Sequence, residues 1–244
     1  MKLVVIGGGS TYTPELFEGL VRRGQELALH EVVLHDVSPE RLGPVTGFCR
    51  RMADAEGASF KVRECLDLDD AVRGAAFVIL QIRVGGQAAR HLDETIPLAH
   101  GRIGQETTGA GGFFKALRTV PQALHIAQRV RLHAPGAWII NFTNPSGLVT
   151  EALLHHGKVR TVGLCNIPVE MRMHAAQALD VHPELVELDY AGLNHLGWIR
   201  GVRVAGNDIF AQVLARFTGG DAPANIPDID YPPGFLAALG MIPS

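Results

Sequence analysis

Met1-Lys2-Leu3-Val4-Val5-Ile6-Gly7-Gly8-Gly9-Ser10 opens the chain, and Thr13-Pro14-Glu15-Leu16 follows closely. Four successive apolar residues run into three glycines. A helix start comes next, with Pro14 in a first turn behind Thr13 and apolar residues at Leu16, Leu20 and Val21. Strand, glycine turn, helix is the opening of a dinucleotide-binding unit. Glycine lets the backbone approach a pyrophosphate, and the helix N-terminus offers N–H groups and the positive end of its dipole. Gly7, Gly8, Gly9 and Ser10 are therefore candidate cofactor residues. The fingerprint is imperfect, because Tyr12 stands where a third glycine would be. A second apolar run, Val32-Val33-Leu34-His35-Asp36, ends in an acid placed to accept hydrogen bonds from an adenosine ribose. Its offset from Gly9 exceeds the usual ~20 residues, and the loop around Arg23-Gly24-Gln25-Glu26 absorbs the excess. An acid at Asp36 disfavours a 2′-phosphate, so the expected cofactor is NAD rather than NADP; the competing role for Asp36 is a helix cap over Ser38–Arg41.

Outward from this unit the rhythm repeats. Short runs at Leu3–Ile6, Val32–Leu34, Phe60–Val62, Phe77–Ile82, Trp138–Phe142 and Val159–Leu164 alternate with helix signals over Glu15–Arg23, Pro39–Ala55, Thr119–His133, Pro145–His156 and Pro168–Leu179. Runs apolar at consecutive positions suit strands covered on both faces. The fold class expected is α/β, a Rossmann-like doubly wound parallel sheet over residues 1–166. Residues 167–244 read as an incomplete α+β second domain. It has long strands at Val186–Gly192 and Leu196–Val204, a turn at Gly206-Asn207, a helix from Asp208 through Phe217, and irregular chain in the last 25 or so residues.

Composition closes off other classes. With 244 residues, 47% of them hydrophobic and 19% charged, the chain can build a core. A net charge of −3 without any Lys/Arg run gives no electrostatic reason to expect nucleic acid, and no apolar run approaches the length of a membrane span. Three cysteines make no disulfide framework, which fits a cytoplasmic protein.

In open α/β sheets ligands sit beyond the carboxyl ends of the strands, and those ends are polar here. The fourth strand delivers Gln81-Ile82-Arg83, then Gly85-Gly86 and Arg90. The fifth delivers Asn141-Phe142-Thr143-Asn144-Pro145, and the sixth delivers Cys165-Asn166. Each piece has a structural explanation, Asn144 as a cap and Cys165 as an inert buried thiol, but their gathering on one edge marks a candidate site. His195 lies in Gly192-Leu193-Asn194-His195-Leu196-Gly197, too far along the chain from Cys165 for any local ligand spacing. A thiolate–imidazole pair suits zinc or another transition ion better than Mn²⁺.

Taken with Ile103-Gly104-Gln105-Glu106-Thr107-Thr108-Gly109, Asn141–Gly147, Gly163-Leu164-Cys165-Asn166-Ile167-Pro168 and Gly192–Leu196, these segments resemble the NAD- and metal-dependent glycoside hydrolases of family 4. That family includes 6-phospho-α- and 6-phospho-β-glucosidases, and is an exception to two-carboxylate hydrolysis. The resemblance implies bound NAD that oxidises C3 of the sugar, a base that removes the C2 proton, and a divalent metal, commonly Mn²⁺. The aglycone then leaves C1 by elimination, water adds, and the stored hydride returns to C3, so that the net chemistry is hydrolysis. It implies Cys165 and His195 as metal ligands and Arg90 and Asn144 as substrate contacts, with Arg83 and Asn141 as neighbours. Glu106 would tune the basicity of a catalytic tyrosine. Asn166, where α-acting members tend to carry Asp, implies a 6-phospho-β-glucoside substrate. The family is usually dimeric or tetrameric. Its tyrosine base is expected beyond Ser244, and none of Tyr12, Tyr190 and Tyr231 matches it. The expectation is thus a chain that binds NAD but lacks the residue for turnover. Two other readings compete: a lactate/malate-type dehydrogenase, which would use no metal, and a non-catalytic NAD-binding fragment.

Overall fold

The structure is a computed structural model describing residues 1–216, 218 and 232–243. It divides into two compact units, Met1–Leu164 and Cys165–Ser244.

The first unit carries six parallel strands: β1 (Lys2–Ile6), β2 (Glu31–His35), β3 (Lys61–Cys65), β4 (Phe77–Leu80), β5 (Trp138–Asn141) and β6 (Arg160–Gly163). Their order is β3-β2-β1-β4-β5-β6, the doubly wound arrangement in which the connection reverses beside β1. Side chains alternate across each strand and both faces are covered. Val4, Ile6, Val78, Leu80 and Ile139 enter one core with Ala123, Ile126, Ala127 and Val130 of α5 (Gly109–His133) and Val149 of α6 (Ser146–Ala152). Leu3, Val5, Val32, Leu34 and Ile79 enter the other, against Phe17 and Leu20 of α1 (Thr13–Arg23) and Leu42, Cys49 and Ala53 of α2 (Pro39–Ala55). This two-sided burial is why these runs are apolar at consecutive positions. Each fully buried Val or Leu contributes roughly 1.5–3 kcal/mol.

In the first unit the sequence reading differs from the structure at three helices. Two helices were not anticipated: α3 (Leu68–Val72), capped by the Asp67 carboxylate on the Asp70 amide at 2.7 Å, and α4 (Gly86–Ala99), which starts behind Gly85 at φ +82°. Helix α5 begins at Gly109, ten residues ahead of the expected Thr119. The run Gly109-Ala110-Gly111-Gly112 reads as a breaker, yet Gly111 packs where a Cβ would lie 2.3 Å from the Gln105 carbonyl oxygen and 2.4 Å from that of Asp93. Close tertiary packing there outweighs poor helix propensity.

The second unit holds α7 (Ile167–Leu179) and a hairpin of β7 (Val186–Leu193) and β8 (Leu196–Val204). Beside them lie β9 (Asn207–Asp208), α8 (Phe210–Arg216), α9 (Pro233–Leu239) and β10 (Ile242–Pro243). Its core joins Met171, Ala175 and Ala176 to Val186, Ile199, Val202, Val213 and Ile242. The Asp208 carboxylate accepts from the Phe210 amide at 2.9 Å, at the head of α8. The end of that expected helix, Phe217, lies outside the described residues. The expectation of irregular chain at the end is corrected for its final part. There α9 forms, and β10 pairs antiparallel with β8 through Ile242 opposite Ile199. Among the described residues no helix is long and apolar enough to cross a membrane.

Candidate functional site

At the end of β1 the chain has no room for side chains. Gly7 lies at φ +90°, and a Cβ there would sit 2.4 Å from the carbonyl oxygen of Gln81, the first residue after β4. A Cβ on Gly8 would meet Leu34, and one on Gly9 would meet Asp36 Oδ2 at 2.9 Å. The Gly7 and Gly8 amides both donate to the His35 carbonyl, at 2.9 and 2.7 Å. The Gly9 amide donates to Asp36 Oδ2 at 2.9 Å, and the Ser38 amide to Oδ1 at 3.1 Å. The Asp36 carboxylate is thereby fixed beside the turn with acceptor capacity left on both oxygens. Gln81 Nε2 ties the Gly7 carbonyl (3.2 Å) to Thr13 Oγ1 (2.7 Å), which fastens the turn to α1. The buried Gln81 Oε1 has no hydrogen-bond partner among the described residues. Tyr12, in the place of a third glycine, stacks on Phe142 with ring centroids 5.3 Å apart. A glycine cradle, an orphaned acceptor and a fixed acid fit a dinucleotide.

Beyond β4 and β5 stands a cluster of charge. Glu106, on the loop between α4 and α5, accepts on Oε2 from Arg83 Nη1 and from Lys115 Nζ, both at 2.5 Å. Arg90 of α4 lies 3.8 Å from the same oxygen and pairs with Glu94 at 2.7 Å. The Asn144 amide approaches Oε1 at 3.4 Å. Burial alone would raise the Glu106 carboxyl, but the hydrogen bonds and charges of Lys115 and Arg83 outweigh it and hold it at about 2. The loop is held by backbone contact. A Cβ on Gly104 would fall 1.9 Å from the Glu94 carbonyl oxygen, and one on Gly112 2.6 Å from that of Thr107.

Asn141 lies beneath this cluster. It is fully buried, its Oδ1 accepts from the Thr143 amide at 3.1 Å, and its Nδ2 donates to Thr150 Oγ1 at 3.1 Å and toward the Thr143 carbonyl at 3.3 Å. These bonds make Asn141 a support of the loop that carries Asn144. That loop is also tied to β4, because Thr143 Oγ1 donates to the Leu80 carbonyl at 3.0 Å and accepts from the Ile82 amide at 2.9 Å.

In the second unit, Cys165 and His195 meet. Cys165 precedes α7, and His195 sits in the two-residue turn between β7 and β8. Cys165 Sγ is 3.5 Å from His195 Nε2. Bonds of about 2.3 Å to sulfur and 2.0–2.1 Å to nitrogen, at a tetrahedral angle, require a separation of about 3.5 Å. The pair is thus spaced to share one cation. His195 holds φ +59° and the neighbouring Gly192 φ +130°, a left-handed backbone of the kind that clusters at ligand clamps. Burial pushes the Cys165 thiol up, and the charge of Glu170 adds to it, against the backbone amides of Ile167 and Asn166. A bound cation would reverse that and hold the thiolate. Among the described residues no group of three or more His, Cys, Asp or Glu side chains surrounds a metal position, so other ligands would come from elsewhere.

The model of the family 4 glycosyl hydrolases matches residues 2–181. The chain belongs to this family. Among relatives of this family 4 chain, the 6-phospho-beta-glucosidase of Escherichia coli K12 is 43% identical over 251 aligned positions, which cover all of this chain and 56% of the relative. The probable 6-phospho-beta-glucosidase of Bacillus subtilis 168 is 44% identical with the same coverage. The solved 6-phospho-beta-glucosidase of Thermotoga maritima, with manganese, NAD+ and glucose-6-phosphate, superposes with a TM-score of 0.91 at 39% identity. That superposition covers all of this chain and 58% of the other. The chain therefore spans a little over half the length of the relatives it matches.

For this family 4 chain, the structure brings together Gly7, Gly8, Gly9, Ser10 and Asp36 at one turn, and the Ser10 hydroxyl accepts from the Tyr12 amide at 3.2 Å. Arg83, Arg90, Glu106 and Asn144 form one cluster, and Cys165 and His195 form one pair. Asn166 is exposed, with its amide on Glu170 Oε1 at 2.5 Å. Sequence reasoning missed Lys115. Its only signal was a lysine in the otherwise uncharged stretch Gly109–Leu117, which alone reads as a solvated helix position.

Proposed function

We propose that the protein hydrolyses 6-phospho-β-glucosides with NAD and a divalent metal. The supporting observation is the 3.5 Å approach of Cys165 Sγ to His195 Nε2, a spacing that suits a shared cation, in a chain of this family. When bound, NAD+ would supply a reversible hydride acceptor for C3, giving the hydride back once water has added so that the net change is hydrolysis, and the cation a Lewis acid that helps make the C2 proton acidic enough for elimination at C1. Gly7, Gly8, Gly9 and Ser10 would bind the pyrophosphate, and Asp36 the adenosine ribose. Cys165 and His195 would hold the cation. Mn²⁺ is supported by the metal in the Thermotoga maritima structure, although a thiolate and an imidazole would also accept a softer ion.

Arg83, Arg90 and Asn144 would orient the phosphorylated sugar. Three cations stand there against Glu106 and Glu94, which leaves one positive charge for a phosphate. Glu106, kept ionised, can accept from a sugar hydroxyl or favour a protonated neighbour. The carboxamide of Asn166 cannot donate a proton as an acid does, which supports a β-linked substrate. A residue domain of 1–166 for the dinucleotide and 167–244 for metal and substrate is part of this proposal.

The test is release of p-nitrophenol from its 6-phospho-β-glucoside, together with calorimetric binding of NAD+, Mn²⁺ and glucose 6-phosphate. Binding of all three is the expected result for this chain; release, which also needs a base for the C2 proton that no residue of this chain is assigned, would have to be metal-dependent. Binding of NAD+ with net NADH production from a hydroxy acid and no response to metal would overturn it in favour of a lactate/malate-type dehydrogenase.

A further inference from the structure

Lys115 is the most deeply buried cation in the first unit's charged cluster. Its side chain is 3% exposed, on a face of α5 that also buries Gly111, Gly112, Ala116 and Thr119. A lysine is almost never buried unless paired, and a buried ion pair is a poor source of stability, since apolar replacements are commonly neutral or better. Its place in the core asks for another explanation, which its partner gives. Lys115 Nζ and Arg83 Nη1 both occupy Glu106 Oε2, while among the described residues Oε1 has only the distant Asn144 amide at 3.4 Å. Two donors on one oxygen fix the carboxylate plane, and the Gly104 and Gly112 contacts fix the loop beneath it.

Resting on the sugar-phosphate reading of this cluster, we propose that Lys115 is a positioning residue: its ammonium, with Arg83, pins Glu106 Oε2 so that Oε1, beside the Asn144 amide, meets the sugar in one orientation. Arg83 and Arg90 reach the same carboxylate from loop and helix positions about a third exposed. Arg90, 3.8 Å from that oxygen, can turn toward an anion, and Arg83 can offer its remaining N–H groups while Nη1 stays on Glu106. Lys115 has no such freedom and holds Glu106 throughout. The groups facing Glu106 are Arg83 after β4, Arg90 of α4, Lys115 of α5 and Asn144 after β5.

The experiment follows the carboxyl carbon of Glu106 by NMR in ¹³C-glutamate-labelled full chain, assigned by its loss in Glu106→Gln. In the wild type its midpoint is expected at about 2. In Lys115→Met it rises by at least about one pH unit, while glucose 6-phosphate affinity falls about tenfold and NAD+ affinity holds within about twofold, the scale of one charge-assisted hydrogen bond. A midpoint unmoved in Lys115→Met overturns the proposal. Should that variant not fold, the wild-type Lys115 ammonium decides: a ¹⁵Nζ signal that follows Glu106 through its titration supports the pin, and one indifferent to it overturns it. A wild-type chain that binds no glucose 6-phosphate overturns the sugar-phosphate reading instead, and the midpoint still judges Lys115.

Discussion

The glycine turn and the Glu106 cluster lie at the ends of neighbouring strands in the same unit, and they are built by opposite means. The turn is backbone: Gly7 at φ +90°, amides on the His35 carbonyl, and one carboxylate, Asp36, held by two more amides. The cluster is side chain, with Glu106, Arg83, Lys115, Arg90 and Asn144 arriving from α4, α5 and three loops. A backbone site tolerates almost no change in shape but depends little on charge. A side-chain site should tolerate changes of shape and respond to pH.

The largest effect separating them is steric. Gly7→Val places a Cβ 2.4 Å from the Gln81 carbonyl oxygen in a left-handed conformation. It is expected to cost ~3 kcal/mol or more of unfolding free energy, read by denaturant titration, with NAD+ binding abolished. A loss below ~1 kcal/mol would mean that the turn relaxes and the contrast fails.

Next is acid. The Glu106 carboxyl is held at about 2 against an ordinary value of 4.5. The folded state therefore binds this proton less tightly than the unfolded chain. The stability it contributes is present in full above pH 4.5 and is lost as pH falls toward 2. The window could carry up to about 3 kcal/mol. Glu106→Gln should flatten the stability–pH curve there, whereas Gly7→Val should shift the whole curve without changing its slope. Parallel wild-type and Glu106→Gln curves between those limits would contradict the assignment.

The smallest effect falls where the two constructions meet, in the one charged side chain of the turn. Asp36→Ala is expected to weaken NAD+ binding by ~1–3 kcal/mol, measured by calorimetry, with a lesser loss of stability from the orphaned Gly9 and Ser38 amides. Equal affinity would remove Asp36 from the site.

The same contrast governs what the sequence discloses. Strands with both faces buried announce themselves as unbroken apolar runs, as Leu3–Ile6 does, and the half-buried hairpin strand Leu196–Val204 is read to the residue from its alternation. A glycine turn is legible because its constraint is local, fixed by φ and by the next strand. Helix α4 escapes notice because Gly85-Gly86 and Arg90 resemble a polar loop and Pro97 interrupts the apolar period. The motif around Asn141 does not disclose that its amide bonds Thr143 and Thr150, contacts that only the folded loop creates. Lys115 is invisible for a deeper reason: nothing near it in the chain tells a buried lysine from a solvated one. Its meaning resides in Glu106 and Arg83, brought near only by packing. No local spacing links Cys165 to His195, which only the family resemblance pairs in the sequence; the hairpin turn at His195 brings its Nε2 to 3.5 Å from the thiol.

The most direct test of the account is a Co²⁺ titration of the wild type, Cys165→Ser and His195→Ala followed by near-ultraviolet and visible absorption. The account predicts a thiolate-to-cobalt charge-transfer band at one equivalent, absent in Cys165→Ser and formed only at much higher cobalt in His195→Ala. A band that survives in Cys165→Ser, or no band in the wild type, would contradict a cation shared by Cys165 and His195.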